Sequence, residues 1–134
     1  MDNTRAVAIV NQYLDIMLVQ NRQGEGLEHL LTEDFQFDDP FGRASSMREF
    51  TSYVQRWIAT PKSLHMKHHF VDGDQVCSIY TIDVANASGA RASFDIADLF
   101  ELRGDRIAKE KVFFANPVEF ARHMGFASDY LKQS

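Results

Sequence analysis

The chain has 134 residues, 45% hydrophobic and 12% aromatic, which excludes a disordered chain and suits a single domain with one core. Its net charge is −5, and its lysines and arginines are scattered, so nucleic acid is not expected as a partner. The single cysteine, Cys77, excludes an internal disulfide and suits a reducing compartment.

The first element predicted is an amphipathic helix over residues 4–20, capped by Asn3 or Thr4. Its apolar stripe is broad and consists of Val7, Ile9, Val10, Tyr13, Leu14, Ile16, Met17 and Leu18. Polar residues interrupt this stretch before it could form a signal peptide or a membrane span, so we expect a soluble cytoplasmic protein without membrane contacts.

A short apolar strand then leads into a carboxylate. Residues 27–31 predict a short helix or turn, and a strand begins at Phe35. Side chains two apart in a strand share a face, so Asp39 lies in the same row as Phe35 and Phe37. An aspartate before a proline commonly starts a turn. The alternative is a carboxylate held at the end of an apolar pocket for proton transfer, and the sequence leaves both open.

The middle and end of the chain predict a helix followed by consecutive strands. Ser45 or Ser46 with Glu49 forms a capping box for a helix that ends before Pro61. Four strands follow, over 64–71, 76–84, 90–102 and 107–114, and their short turns predict an antiparallel meander. Two short helical segments, 118–124 and 128–132, close the chain. The fold class predicted is α+β, a single domain over residues 1–134.

Asp98 is the second acid in an apolar row. Phe94, Ile96, Phe100 and Leu102 share its face of the third strand of the meander. Burying an ionised carboxylate is costly, so Asp98 either finds a strong partner or keeps its proton with a raised pKa. Pairing with a cation or with backbone N–H groups is the structural alternative.

Other candidate groups are weaker. Tyr13 on the first helix is a core residue by type, with a hydroxyl that needs a partner. Glu110 shares a strand face with Val112 and Phe114. His65 and His69 point one way in a regular strand and His68 the other, so no compact metal site is expected. Neither a phosphate-binding glycine loop nor an activated cysteine is present, and no cofactor is expected.

Together these motifs resemble the nuclear transport factor 2 superfamily, in its SnoaL-like and ketosteroid isomerase-like branch. The resemblance covers about residues 7–114 and rests on the helices, the corner at 39–42, the turn at 71–74 and the stretch 98–107. It implies a cone-shaped fold, in which a strongly bent, mostly antiparallel sheet wraps around the helices and leaves a pocket. Homodimers through the outer sheet face are also implied.

Within that branch, three residues fall at the positions of the ketosteroid isomerase machinery. The resemblance implies Asp39 as general base, Asp98 as a protonated acid and Tyr13 as a second donor to the enolate. The pocket walls and substrate-binding candidates are Phe37, Phe50, Trp57, Phe100, Glu110 and Phe114. The partner expected is a small apolar ligand or substrate.

Three functions remain open at this point, because the superfamily contains many activities. The first is a cofactor-independent isomerase or cyclase that removes a proton next to a carbonyl. The second is a non-catalytic ligand-binding or dimeric interaction module with the same pocket and an ionised Asp98. The third, an epoxide hydrolase or dehydratase, lacks a clear Asp-Arg-Asp or paired-histidine set in this sequence.

Overall fold

The computed structural model describes residues 2–19 and 25–126. The helices in this part of the chain are α1 (Asn3–Leu18), α2 (Met47–Tyr53), α3 (Gln55–Ala59) and α4 (Pro117–Met124), with a 3-10 turn at Leu27–His29. The strands are β1 (Leu31–Asp39), β2 (Gly42–Ala44), β3 (Lys62–Asp72), β4 (Gln75–Ala85), β5 (Arg91–Arg103) and β6 (Arg106–Phe114). The helical segment predicted at 128–132 lies outside the described residues.

Helix α1 has the broad buried face that the sequence predicts. Its buried residues are Ala6, Ile9, Val10, Tyr13, Leu14, Ile16, Met17 and Leu18. The cap differs from the prediction, because the side chain of Asp2 accepts a hydrogen bond from the backbone N–H of Thr4 at 3.0 Å. Asp2 lies one residue before the predicted cap, and its carboxylate satisfies an N–H that would otherwise be unpaired at the helix start.

The second helical region is divided into two helices. Ser46 accepts a hydrogen bond from the Glu49 N–H at 3.1 Å, and the Glu49 carboxylate accepts one from the Ser45 N–H at 3.3 Å, which confirms the predicted capping box. The single helix predicted up to Pro61 is wrong in one respect. Val54 has a non-helical ψ of 3° and separates α2 from α3.

The six described strands form one sheet in the order β2-β1-β6-β5-β4-β3. Strands β3 to β6 pair antiparallel in sequence order, which confirms the meander. Strand β1 starts at Leu31, four residues before the predicted start, and pairs parallel with β6, while β2 was not predicted. Bulges in β3, between residues 66 and 68, and at Glu101/Leu102 add to the sheet twist and help to bend it around α1.

Helix α4 packs across one end of the bent sheet. Its Phe120 is 2% exposed and lies at the centre of a group that we call the aromatic cluster. The ring centroids of Phe41, Trp57, Phe94, Phe114 and Phe126 lie 4.6 to 5.9 Å from that of Phe120. Within the described residues, none of the helices is both long enough and apolar enough to span a bilayer.

Candidate functional site

The inner face of the sheet carries two buried acids. On β5 the residues of the predicted row, Phe94, Ile96, Asp98, Phe100 and Leu102, are all buried, as the parity of the strand predicts. Asp98 is 1% exposed. On β6, Glu110 pairs with Phe100 and is 5% exposed, so its side chain lies diagonally across from Asp98 on the same face. The fold therefore brings these two carboxyls together.

Each acid accepts a hydrogen bond from a buried tyrosine. The hydroxyl of Tyr80 on β4 donates to Oδ2 of Asp98 at 2.7 Å, and the hydroxyl of Tyr13 on α1 donates to Oε1 of Glu110. The resemblance implied that Tyr13 acts beside Asp98, but its hydroxyl contacts the neighbouring acid instead. Tyr80 was missed by the sequence reasoning. Its signal was strand parity, because it lies in the inward row of β4 with Val76 and Ile82.

One oxygen of the pair lacks a conventional donor. Oδ1 of Asp98 is buried and accepts no hydrogen bond from an N–H or hydroxyl group of the described residues. The Asp98 and Glu110 side chains are, however, within hydrogen-bonding range of each other. Two carboxylates can form such a bond only when one of them carries a proton.

Burial raises the pKa of both carboxyls. For Asp98 the loss of hydration raises the pKa to about 6, although hydrogen bonds with Glu110 and Tyr80 act in the opposite direction. For Glu110 burial, and then the charge of Asp98, raises the pKa well above its ordinary value. Burial and the neighbouring acids also raise the pKa of both Tyr13 and Tyr80, so these hydroxyls keep their protons and remain donors.

Asp39 lies at the end of β1, half-buried, in a different setting. Its Oδ1 accepts hydrogen bonds from the N–H groups of Phe41 and Gly42, both at 2.8 Å, and from the Tyr53 hydroxyl at 3.1 Å. These bonds form a turn. A turn was one of the two explanations that the sequence left open for an aspartate in the apolar row. Asp39 is also close enough to the buried acids for its charge to raise the pKa of Asp98 and Glu110.

The candidate wall residues fall into two groups. Phe100 and Phe50 lie 5.6 and 6.3 Å from the ring centroid of Tyr13, and Phe37 lies 4.8 Å from that of Phe50. Trp57 and Phe114 instead belong to the aromatic cluster around Phe120. The sequence did not separate these groups, because the separation depends on where α4 docks.

Two grooves of about 460 and 270 Å³ run along the sheet. Side chains that alternate away from the core, such as Gln36, Glu101 and Lys109, line both of them. Phe37 and Glu110 also line the larger groove, but neither groove is lined by Tyr13 or Phe50, which are almost fully buried on the inner face. The expected pocket position is thus filled by aromatic side chains.

The bulge in β3 changes the histidine pattern. His69 pairs with the buried Ser78 and turns inward, while His65 pairs with Thr81 on the outer face. The prediction that His65 and His69 share a direction is therefore wrong, because one extra residue reverses strand parity. The ring of His69 bridges Ser78 Oγ, at 2.7 Å, and Asn11 Oδ1, at 3.0 Å. No group of three or more His, Cys, Asp or Glu residues in the described ranges could hold a metal.

Solved structures with the same fold provide a comparison. TerC co-crystallised with polyporic acid is 15% identical with a TM-score of 0.77, covering 90% of this chain and 98% of that one. A protein from Catenulispora acidiphila DSM 44928, with a ketosteroid isomerase-like fold and bound trimethylamine, is 15% identical with a TM-score of 0.74, covering 92% and 97%. At these identities the likeness shows the fold alone.

A third structure of this fold comes from Jannaschia sp. CCS1 and is described as a SnoaL-like polyketide cyclase. It is 14% identical with a TM-score of 0.71, and the match covers 92% of this chain and 94% of that chain. No curated protein sequence matches the chain. The family model of the SnoaL-like domain matches residues 10–110, which include Tyr13, Asp39, Asp98 and Glu110. With its bent sheet, enclosed helix and matched sequence, the chain belongs to the SnoaL-like domain family.

Proposed function

We propose that the chain binds a small apolar carbonyl compound against the inner face of the sheet and moves a proton at the carbon next to the carbonyl. The reaction is a double-bond isomerisation or an aldol-type ring closure, and it needs no cofactor. The observation that carries this proposal is the pair of buried, tyrosine-bonded carboxyls with raised pKa values. Groups with such pKa values concentrate at sites of proton transfer.

The proposed roles follow the positions of the acids. Asp39, which the turn holds near the inner face, takes the substrate proton as base. Asp98, when protonated, donates a hydrogen bond to the enolate oxygen, because a carboxyl kept neutral by apolar surroundings can act as a donor at neutral pH. Tyr13 is the second donor, and it would have to leave Glu110 to reach the substrate oxygen.

Ligand entry in this proposal requires the aromatic side chains to move. Tyr13 and Phe50 are almost fully buried on the inner face, and neither lines one of the two grooves. Phe120 closes one end of that face, and the side chain belongs to a helix of only eight residues at the end of the described chain. We therefore assign ligand entry to movement of α4.

The test uses hydrogen exchange, so it needs no knowledge of the natural substrate. A panel of small cyclic ketones and enones is incubated with the protein in D2O, and NMR follows replacement of the proton next to the carbonyl. We expect exchange that Asp98→Asn slows strongly. The matched control is Asp95→Asn, on the same strand but on the outer face. Equal rates for both variants and the wild type would contradict the role of Asp98.

The second candidate function is a non-catalytic binder of the same ligands. The three hydrogen bonds to one oxygen of Asp39 favour it, because each stabilises the carboxylate and so weakens it as a base. Thermal-shift measurements with the same ketones separate the two functions. Ligand-induced stabilisation without exchange would favour the binder.

We also propose that the chain works in the cytoplasm as a homodimer joined through the outer sheet face. That face carries the half-buried Ile79, Ala97 and Leu99, with exposed Phe70 and Phe113 beside them. A second copy would remove this apolar area from water. Sedimentation should give a dimer that Phe113→Lys weakens, and a monomeric wild type at micromolar concentration would contradict the proposal.

A further inference from the structure

We propose that Asp98 and Glu110 share one proton at neutral pH and act as a single acid, in which Glu110 is the residue that positions the proton. This assigns to Glu110 a role beyond ligand contact. The shared proton belongs to the ligand-free protein and does not depend on the proposed function. The inference deepens that function, and only the catalytic meaning of the shared proton rests on it.

The first step of the argument is geometric. Strands β5 and β6 place the two side chains diagonally on one face, and both are buried. Their carboxyls are close enough to form a hydrogen bond, for which a proton is required on one of them. That proton can supply the donor that Oδ1 of Asp98 otherwise lacks.

The second step is electrostatic. The groups that face the pair are Tyr13 from α1, Tyr80 and Ser78 from β4, and Asp39 from β1. None of these is a cation. His69 on β3, which bonds to Ser78, has a pKa lowered by burial and is therefore neutral at neutral pH. Two adjacent negative charges without a cation are strongly disfavoured in a buried site.

The third step is the count of donors. Tyr13 directs its hydroxyl at Glu110, and Tyr80 directs its hydroxyl at Asp98. Two phenolic donors stabilise one delocalised negative charge. The pair is therefore expected to lose its first proton at acidic pH and to keep the second through neutral pH, with both steps belonging to the pair.

A shared proton has a direct consequence for the proposed reaction. When a carbonyl oxygen approaches Asp98, the proton can sit on Asp98 and face the ligand, while the negative charge moves to Glu110. No proton enters from water, and no bond other than the O–H bonds of the pair is broken. The acid thus stays neutral on the ligand side at a pH where an isolated aspartic acid is ionised.

The experiment is a carboxyl titration of the ligand-free protein, with ¹³C labels in the aspartate and glutamate side chains and NMR detection. We expect Asp98 and Glu110 to titrate together in two separated steps, with one proton remaining at pH 7. In Glu110→Gln no proton can be shared between two carboxyls, so Asp98 should titrate alone in a single step. Asp98→Asn should lower the pKa of Glu110, because it removes the charge of Asp98 that raises that pKa.

Independent single-step titrations in the wild type, or a Glu110 pKa unmoved by Asp98→Asn, would overturn the proposal. The wild-type titration decides the matter even if a variant fails to fold. Infrared detection of the carbonyl stretch of a protonated carboxyl at pH 7 provides a second readout, expected in the wild type and absent from the double variant Asp98→Asn/Glu110→Gln. A coupled titration without any ketone exchange would refute the proposed function and leave the shared proton standing.

Discussion

The corner at Asp39 and the acid pair on the inner face show two ways of handling a carboxyl in an apolar row. Asp39 is half-buried, and one of its oxygens accepts three hydrogen bonds, two of them from backbone N–H groups. Asp98 and Glu110 are buried, with one tyrosine donor each. Donor number and burial, which strand parity does not predict, distinguish the two settings.

The largest expected effect is on proton exchange. Asp39→Asn should lower the rate about 10²- to 10⁴-fold, the usual contribution of a general base. The amide oxygen still accepts the hydrogen bonds from Phe41 and Gly42, so the free energy of unfolding should change by less than about 1 kcal/mol. NMR exchange and urea denaturation measure the two quantities. A variant that exchanges normally would reduce Asp39 to its part in the turn.

Stability should depend on pH through the buried pair. The folded-state pKa of Asp98, about 6, lies above the ordinary value of 3.8, so between these values the folded protein binds more protons than the unfolded chain. This contribution to the free energy of unfolding is complete below the lower value and is lost as the pH rises through about 6. Two pKa units correspond to at most about 3 kcal/mol.

The measurement is urea denaturation at several pH values from 4 to 7. Asp98→Asn should flatten the decline relative to the wild type, and Asp95→Asn should leave it unchanged. An identical decline in Asp98→Asn would mean that folding does not raise the pKa of Asp98.

A matched pair of tyrosine variants compares the two regions directly. Tyr13→Phe removes the hydroxyl donor of a buried acid and should cost about 1–3 kcal/mol. Tyr53→Phe leaves Asp39 with its two backbone donors on a half-exposed corner and should cost less than about 1 kcal/mol. Equal losses in denaturation experiments would show that donor number does not distinguish the regions.

The smallest expected effect tests the packing of the corner. A Cβ on Gly42 would lie 2.5 Å from the hydroxyl oxygen of Tyr53 and 2.7 Å from its ring, so Gly42→Ala forces that side chain to move. Because Tyr53 is 40% exposed and can turn outwards, we expect a loss near the low end of overpacking costs, about 1 kcal/mol. In a Tyr53→Ala background the same substitution should cost almost nothing, and a persistent loss would place the clash elsewhere.

Local patterns in the sequence predicted the structural features that depend on a single segment of the chain. Periodicity gave the buried face of α1, and parity placed Asp98 in a buried row of β5. What the sequence missed depends on contacts between distant segments. The parallel pairing of β1 with β6, the partner of Tyr13 and the role of Tyr80 all follow from cross-strand register and helix docking. The bulge in β3 made the parity prediction for the histidines fail, because it inserts a residue without any strong sequence signal.

The position of helix α4 along the chain has a consequence for how the ligand preference of this protein can change. The SnoaL-like match ends at residue 110, whereas α4 begins at Pro117, so the side chain that closes the inner face lies outside the matched region. Under the proposed function, one stretch of the chain selects the ligand and a separate stretch carries the residues that act on it. Exchanging the terminal segment between relatives would then transfer ligand preference while leaving the acid pair and its tyrosines untouched.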